Sequence, residues 1–214
     1  MSTTRSNTTS SEFIVRETAE LDEMYGPALE RSVRKQMDRL DDHCRAFIAR
    51  SPMVVIGTHG EEMADTSPRG DMPGFVRVVD DHTLLIPDRR GNNRLDSLRN
   101  IVRNPAVGLL FLIPGITETF RVNGTAVLSR DPALTASFAV DGKEPRLVLV
   151  VTVKEAYIHC SRALVRADLW NPAKFAERET VPSFGTMLAA HTAGFVDAKT
   201  VDEEAKVRVP LTLY

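Results

Sequence analysis

Between Asp88 and Ile101 the chain reads DRRGNNRLDSLRNI, which sets four arginines, three asparagines and a glycine between two apolar runs. These side chains donate hydrogen bonds to anions, and arginine presents a planar fork that matches phosphate or carboxylate oxygens. The stretch follows a run that reads as a strand and precedes one with helical spacing. In that setting Asn92, Asn93 and Arg94 can converge with the free N–H groups of a first helical turn, a geometry suited to phosphate. A solvated loop followed by a charged helix face explains the same composition, and Gly-Asn-Asn-Arg is no standard phosphate-loop spacing. Ser67 and Arg69, in TSPRGD, form a second candidate on a loop shaped by proline and glycine. That segment reads equally as a turn with an exposed arginine. Both loops flank one predicted hairpin, so they can meet at its end.

The elements that must hold these loops follow from periodicity. Leu29, Val33, Met37, Leu40, Cys44, Phe47 and Ile48 recur at three and four residues, which predicts one amphipathic helix from Pro27 to Arg50. MVVIGTHG, Met53 to Gly60, predicts a strand, and residues 61–74, broken by glycine and proline, predict a loop. FVRVVDDHTLLIPD predicts a hairpin with Asp80 and Asp81 at its tip, followed by a short helix over 94–103. NPAVGLLFLIPG and TETFRVNGTAVLS predict a second hairpin that turns at Pro114 and Gly115. A helix over 132–140 and a long strand in PRLVLVVTVKEAYIHC, apolar enough to be buried on both faces, complete the pattern. Six strands joined mainly by links too short for parallel crossovers predict a mainly β, α+β fold: a six-stranded antiparallel barrel with peripheral helices. Residues 1–12 are expected to be a disordered tail and 13–214 a single domain, with helices over 18–50, the barrel over about 53–160 and a helical extension over 161–214.

Composition excludes several function classes. The 214 residues are 43% hydrophobic and carry a net charge of −2, which offers no global attraction to nucleic acid, so any anion binding is local. No apolar run is long enough for a membrane span and the first residues do not read as a secretory signal, so a cytoplasmic protein is expected. Two cysteines, Cys44 and Cys160, make neither a disulfide framework nor a zinc pattern. His159 and Cys160 adjoin on a predicted strand and point to opposite faces, so no metal site is expected. Neither a G-x-S-x-G elbow nor an H-E-x-x-H motif occurs.

From Ser67 to Ser129, with GNNR and ETFRVNG within it, the chain resembles the FMN-binding split barrel of the pyridoxamine 5′-phosphate oxidase-like proteins. The similarity is greatest to a bacterial subgroup of FMN-dependent enzymes sharing those two segments. The resemblance implies a homodimer with FMN at the subunit interface. It also implies phosphate contacts from Ser67, Arg69, Asn92, Asn93 and Arg94, and ring contacts from Ile86, Pro87 and Thr119. Trp170, in SRALVRADLW, matches an aromatic residue that closes the site from the partner chain. Arg89, Arg90, Arg99 and Arg103 stay outside the expected site. The implied activity is FMN-dependent oxidation or reduction of a small molecule, with NADH or NADPH as electron donor. The Tyr, Arg and Ser group that holds the substrate phosphate in true pyridoxamine phosphate oxidases is missing from ASFAVDGKEPRLVLV, so vitamin B6 oxidation is not expected. A flavin carrier, store or sensor, and a barrel that binds F420 or heme, are the alternative readings.

Overall fold

The computed structural model describes residues 10–214; residues 1–9 of the expected tail lie outside the described residues. The chain divides into two compact units, up to Gln36 and from Met37 to Tyr214. The first contains α1 (Thr18–Tyr25) and α2 (Glu30–Arg34). In α1, Glu17 and Glu20 form a capping box that satisfies two N–H groups of the first turn.

The second unit contains, in order, α3 (Asp42–Arg50), β1 (Met53–His59), β2 (Ala64–Gly70), β3 (Arg77–Asp80), β4 (Thr83–Pro87) and α4 (Asp96–Arg103). It continues with β5 (Ala106–Leu112), β6 (Thr119–Ser129), α5 (Pro132–Ser137), β7 (Val148–His159), α6 (Arg162–Ala167), α7 (Phe184–His191) and α8 (Ala198–Leu211). All strand pairings are antiparallel, in the order β2-β1-β5-β6-β7-β4-β3. The sheet therefore has seven strands, not the expected six, and its two edges leave it open. The added strand is β2, which arises from the segment expected to be loop. Pro68 is tolerated there because β2 is an edge strand, bonded only to β1, with Pro68 opposite Val55.

Val54 and Ile56 of β1 share one buried cluster with Leu84 and Ile86 of β4, although three strands separate β1 from β4 in the sheet. The sheet therefore curls around its core. Ile48 of α3 and Leu98 and Ile101 of α4 close that core. A smaller cluster of Leu85, Phe138 and Val148 lies on the other face. It explains why β7 is buried on both faces only at Val148 and Leu149; from Val151 to Lys154 burial alternates with the strand period, and a register shift against β6 then breaks the alternation before Ala156.

The helix expected from Pro27 to Arg50 is interrupted. Met37 exchanges both main-chain hydrogen bonds with Ala156, at 3.0 and 2.8 Å, which takes it out of helical conformation. Asp41 then caps a new helix by accepting from the Cys44 N–H at 2.9 Å. Among the described residues no helix is long and apolar enough to cross a membrane.

Candidate functional site

Three chain segments meet at one end of the curled sheet. The first is the end of β2, where Arg69 faces inward and is half-buried. Its Nη1 donates to the Ser67 hydroxyl and to the Pro68 carbonyl at 3.1 Å, so the guanidinium is held by its own strand. Its Nε is buried and has no hydrogen-bond partner. A buried donor left unpaired costs about 1–3 kcal/mol, so an acceptor brought to this point is favoured.

The second segment is the loop from Asp88 to Leu95. Asn93 and Leu95 both have left-handed backbone conformations, at φ 60° and 63°. Asparagine takes this region readily, whereas leucine is strained there. Asn92 Oδ1 accepts from the Arg94 N–H at 3.0 Å, which tightens the turn. Leu95 is the N-cap of α4 and offers no side-chain cap, so the first N–H groups of α4 keep their capacity for an external acceptor. The helix is pinned in place: Ser97 Oγ donates to Asp65 at 2.9 Å and Asn100 Nδ2 donates to Thr58 at 3.1 Å.

The third segment, residues 141–146, precedes β7 and carries Lys143 and Arg146 to the same place. Pairing of Pro87 with Val148 fixes this approach, and the Asp88 N–H extends it by donating to the Leu147 carbonyl at 3.0 Å.

Together these segments enclose a cavity of about 690 Å³. Six cationic side chains line it, Arg69, Arg89, Arg90, Arg94, Lys143 and Arg146, against the carboxylates Asp88 and Glu144. The lining cations outnumber the carboxylates and main-chain N–H groups lie beside them, the electrostatic character that an anion requires. Burial pushes the Asp88 carboxyl above its usual range, and the charges of Arg69 and Arg146 oppose that shift. Arg89 is held by the buried carboxylate of Asp71 at 2.6 Å. Burial tends to raise the Asp71 pKa, but donation from the Tyr214 hydroxyl, the Met72 N–H and Arg89 outweighs it and leaves the carboxyl below its usual range. Among the described residues no group of three or more His, Cys, Asp or Glu could hold a metal ion.

Four of the expected residues, Arg69, Asn92, Asn93 and Arg94, line this one cavity, and Ser67 reaches it through Arg69. The guanidinium of Arg94 is engaged with Asp96 and is 79% exposed. Ile86 and Pro87 lie just before the cavity and are buried; Ile86, side chain and main chain alike, is fully covered in the core. Thr119 is buried on β6, three strands across the sheet from β2, or about 14 Å at ~4.8 Å per strand. Trp170 donates from Nε1 to the Ile116 carbonyl at 2.8 Å. Neither Thr119 nor Trp170 lines the cavity. Arg89 and Arg90, set aside on sequence grounds, do line it, as do Asp88, Lys143, Arg146 and Tyr214. Only the shared basic character of Lys143 and Arg146 hinted at their place.

No curated protein matches the chain. Among solved structures, HupZ of Group A Streptococcus is 16% identical, with 55% of this chain and 91% of that chain covered and a TM-score of 0.45. General Stress Protein 26 from Bacillus anthracis is 18% identical over 53% of this chain and 88% of its own, with a TM-score of 0.40. The FAD binding protein from Mycobacterium smegmatis is 17% identical over 57% and 97%, with a TM-score of 0.40. The family model described as pyridoxamine 5′-phosphate oxidase matches residues 40–160, a span that contains all seven strands and every cavity residue but Tyr214. The chain belongs to that family.

Proposed function

We propose that the chain is a flavoprotein that binds FMN with the cofactor's phosphate in this cavity, and that it is an FMN-dependent oxidoreductase acting on a small organic molecule. The observation that carries the reading is Arg69: a half-buried guanidinium, fixed by Ser67 and Pro68, whose Nε has no acceptor at the wall of an anion cavity. Family membership supports the same ligand class. The donor set fits a phosphate monoester, since Arg69 supplies a charged N–H and the Asn92–Arg94 turn supplies neutral ones. The start of α4 adds the positive end of a helix. Lys143 and Arg146 contribute charge from the opposite side.

When bound, the flavin supplies hydride or electron transfer. The chain's own residues bind and orient. The pinned helix α4 holds the Asn92–Arg94 turn still, and the curled sheet fixes the distance from Arg69 to that turn. In this reading the seven-stranded sheet is a split barrel. It works as a homodimer in which Thr119 and Trp170 serve the flavin of the second copy. NADH or NADPH delivers electrons in the cytoplasm. The test is extraction of the ligand from purified protein. One FMN per chain is expected, and a colourless protein that takes up no FMN refutes the proposal.

A further inference from the structure

Of the two carboxylates in the cavity wall, Glu144 is turned toward α5, where it accepts from the Thr135 hydroxyl at 2.9 Å. Asp88 is the one left among the cations. It is half-buried at the end of β4 and anchored through its N–H to the Leu147 carbonyl. The titratable groups that share the cavity with it are Arg69 from β2, Arg89, Arg90 and Arg94 from its own loop, Lys143, Glu144 and Arg146 from the segment before β7, and Tyr214. Arg89 already has Asp71 as its partner, so Arg69 and Arg146 are the charges that act on Asp88. A carboxylate in this position occupies the same positive field that an incoming phosphate requires.

We propose that Asp88 is a built-in competitor for the anion: it balances Arg69 and Arg146 in the empty cavity and takes up a proton from solvent when a phosphate ester binds. This rests on the cavity being the phosphate site. A second negative charge in a shared site disfavours ionisation of the first, so the bound ester raises the Asp88 pKa. Each unit of that rise weakens binding tenfold at pH values where Asp88 is ionised in the empty protein. Asp88 thereby sets the charge selectivity and pH response of the cavity.

The test is titration of FMN, and separately of inorganic phosphate, into the wild-type protein and Asp88→Asn from about pH 5 to about pH 8, a range that spans a raised carboxyl. The ester's own protonation affects both proteins alike, so the ratio of the two dissociation constants isolates Asp88. The Asn variant is expected to bind about tenfold tighter at the alkaline end, with the ratio falling toward one at the acid end. Equal affinities at all pH values, or weaker binding by the variant, overturn the proposal. Calorimetry of sulfate binding to the wild-type protein, a dianion over the whole range, in buffers of different ionisation heat and at the pH where the ratio changes, is expected to show proton uptake. Its absence overturns the proposal even if the variant does not fold. Phosphate binding with this pattern but no uptake of FMN sinks the flavin reading alone, whereas FMN binding with a flat ratio sinks only the role of Asp88.

Discussion

Arg89 Nε donates to Asp71 Oδ2 at 2.6 Å, and the two side chains are only 15% and 5% exposed. Tyr214 donates its hydroxyl to the other Asp71 oxygen at 2.6 Å, while Arg89 Nη1 donates to the Phe138 carbonyl at 2.8 Å. One buried ion pair thus ties together the β2–β3 connection, the end of α5, Tyr214 and the root of the cavity loop. Removing one partner of such a pair leaves an uncompensated charge, so Asp71→Asn is expected to cost about 3–5 kcal/mol of stability in denaturant unfolding. The pH dependence has a definite sign. The folded-state pKa of Asp71 is depressed, so its contribution is present above the ordinary carboxylate range and is lost as pH falls through the depressed value. Unfolding midpoints followed into that acid window are expected to fall in the wild-type protein more steeply than in Asp71→Asn.

The arginines of the cavity are not equivalent. Arg69 is half-buried with a free Nε, whereas Arg94 is 79% exposed and engaged with Asp96. Arg69→Met is expected to weaken FMN binding about tenfold or more, the effect of a charge-assisted hydrogen bond. Arg94→Met is expected to do less, because its guanidinium is exposed and already paired with Asp96. Arg39→Ala, at an exposed residue paired with Asp38, is expected to leave affinity unchanged. Fluorescence titration of the three variants checks the order, and an Arg94 effect larger than that of Arg69 would contradict it.

Two glycines separate fold from site. A Cβ on Gly124, at the register shift between β6 and β7, would lie 2.0 Å from the main-chain oxygen of Thr152. Gly124→Ala is therefore expected to destabilise by about 3 kcal/mol or more, since backbone must shift. A Cβ on Gly91 meets nothing within 4 Å. Gly91→Ala is expected to leave thermal unfolding within about 0.5 kcal/mol of wild type.

The sequence was most informative where local chemistry decides the outcome. The hairpins β3–β4 and β5–β6 were legible from alternation and turn residues, and the Asn92–Arg94 turn from its composition. Non-local pairing decided the rest. Helical spacing continues through Met37, but the bridge to Ala156 overrides it. Pro68 and its flanking glycine read as loop, yet an edge strand accommodates them. Asp88, Lys143 and Arg146 meet because β4 pairs with β7, with Pro87 opposite Val148, across about sixty residues of chain. Tyr214 reaches the cavity from farther still, through the hydroxyl that it directs at Asp71. No spacing rule predicts either arrangement.

The central claim, that the cavity lined by Arg69 and the Asn92–Arg94 turn holds the phosphate of FMN, is tested most directly by comparing FMN with riboflavin. The two share the ring and ribityl chain and differ only in the phosphate. Two charge-assisted contacts are worth about 3–4 kcal/mol, so FMN is expected to bind at least ~100-fold more tightly in isothermal titration. Arg69→Met is expected to narrow that gap. Equal affinities for FMN and riboflavin would contradict the account.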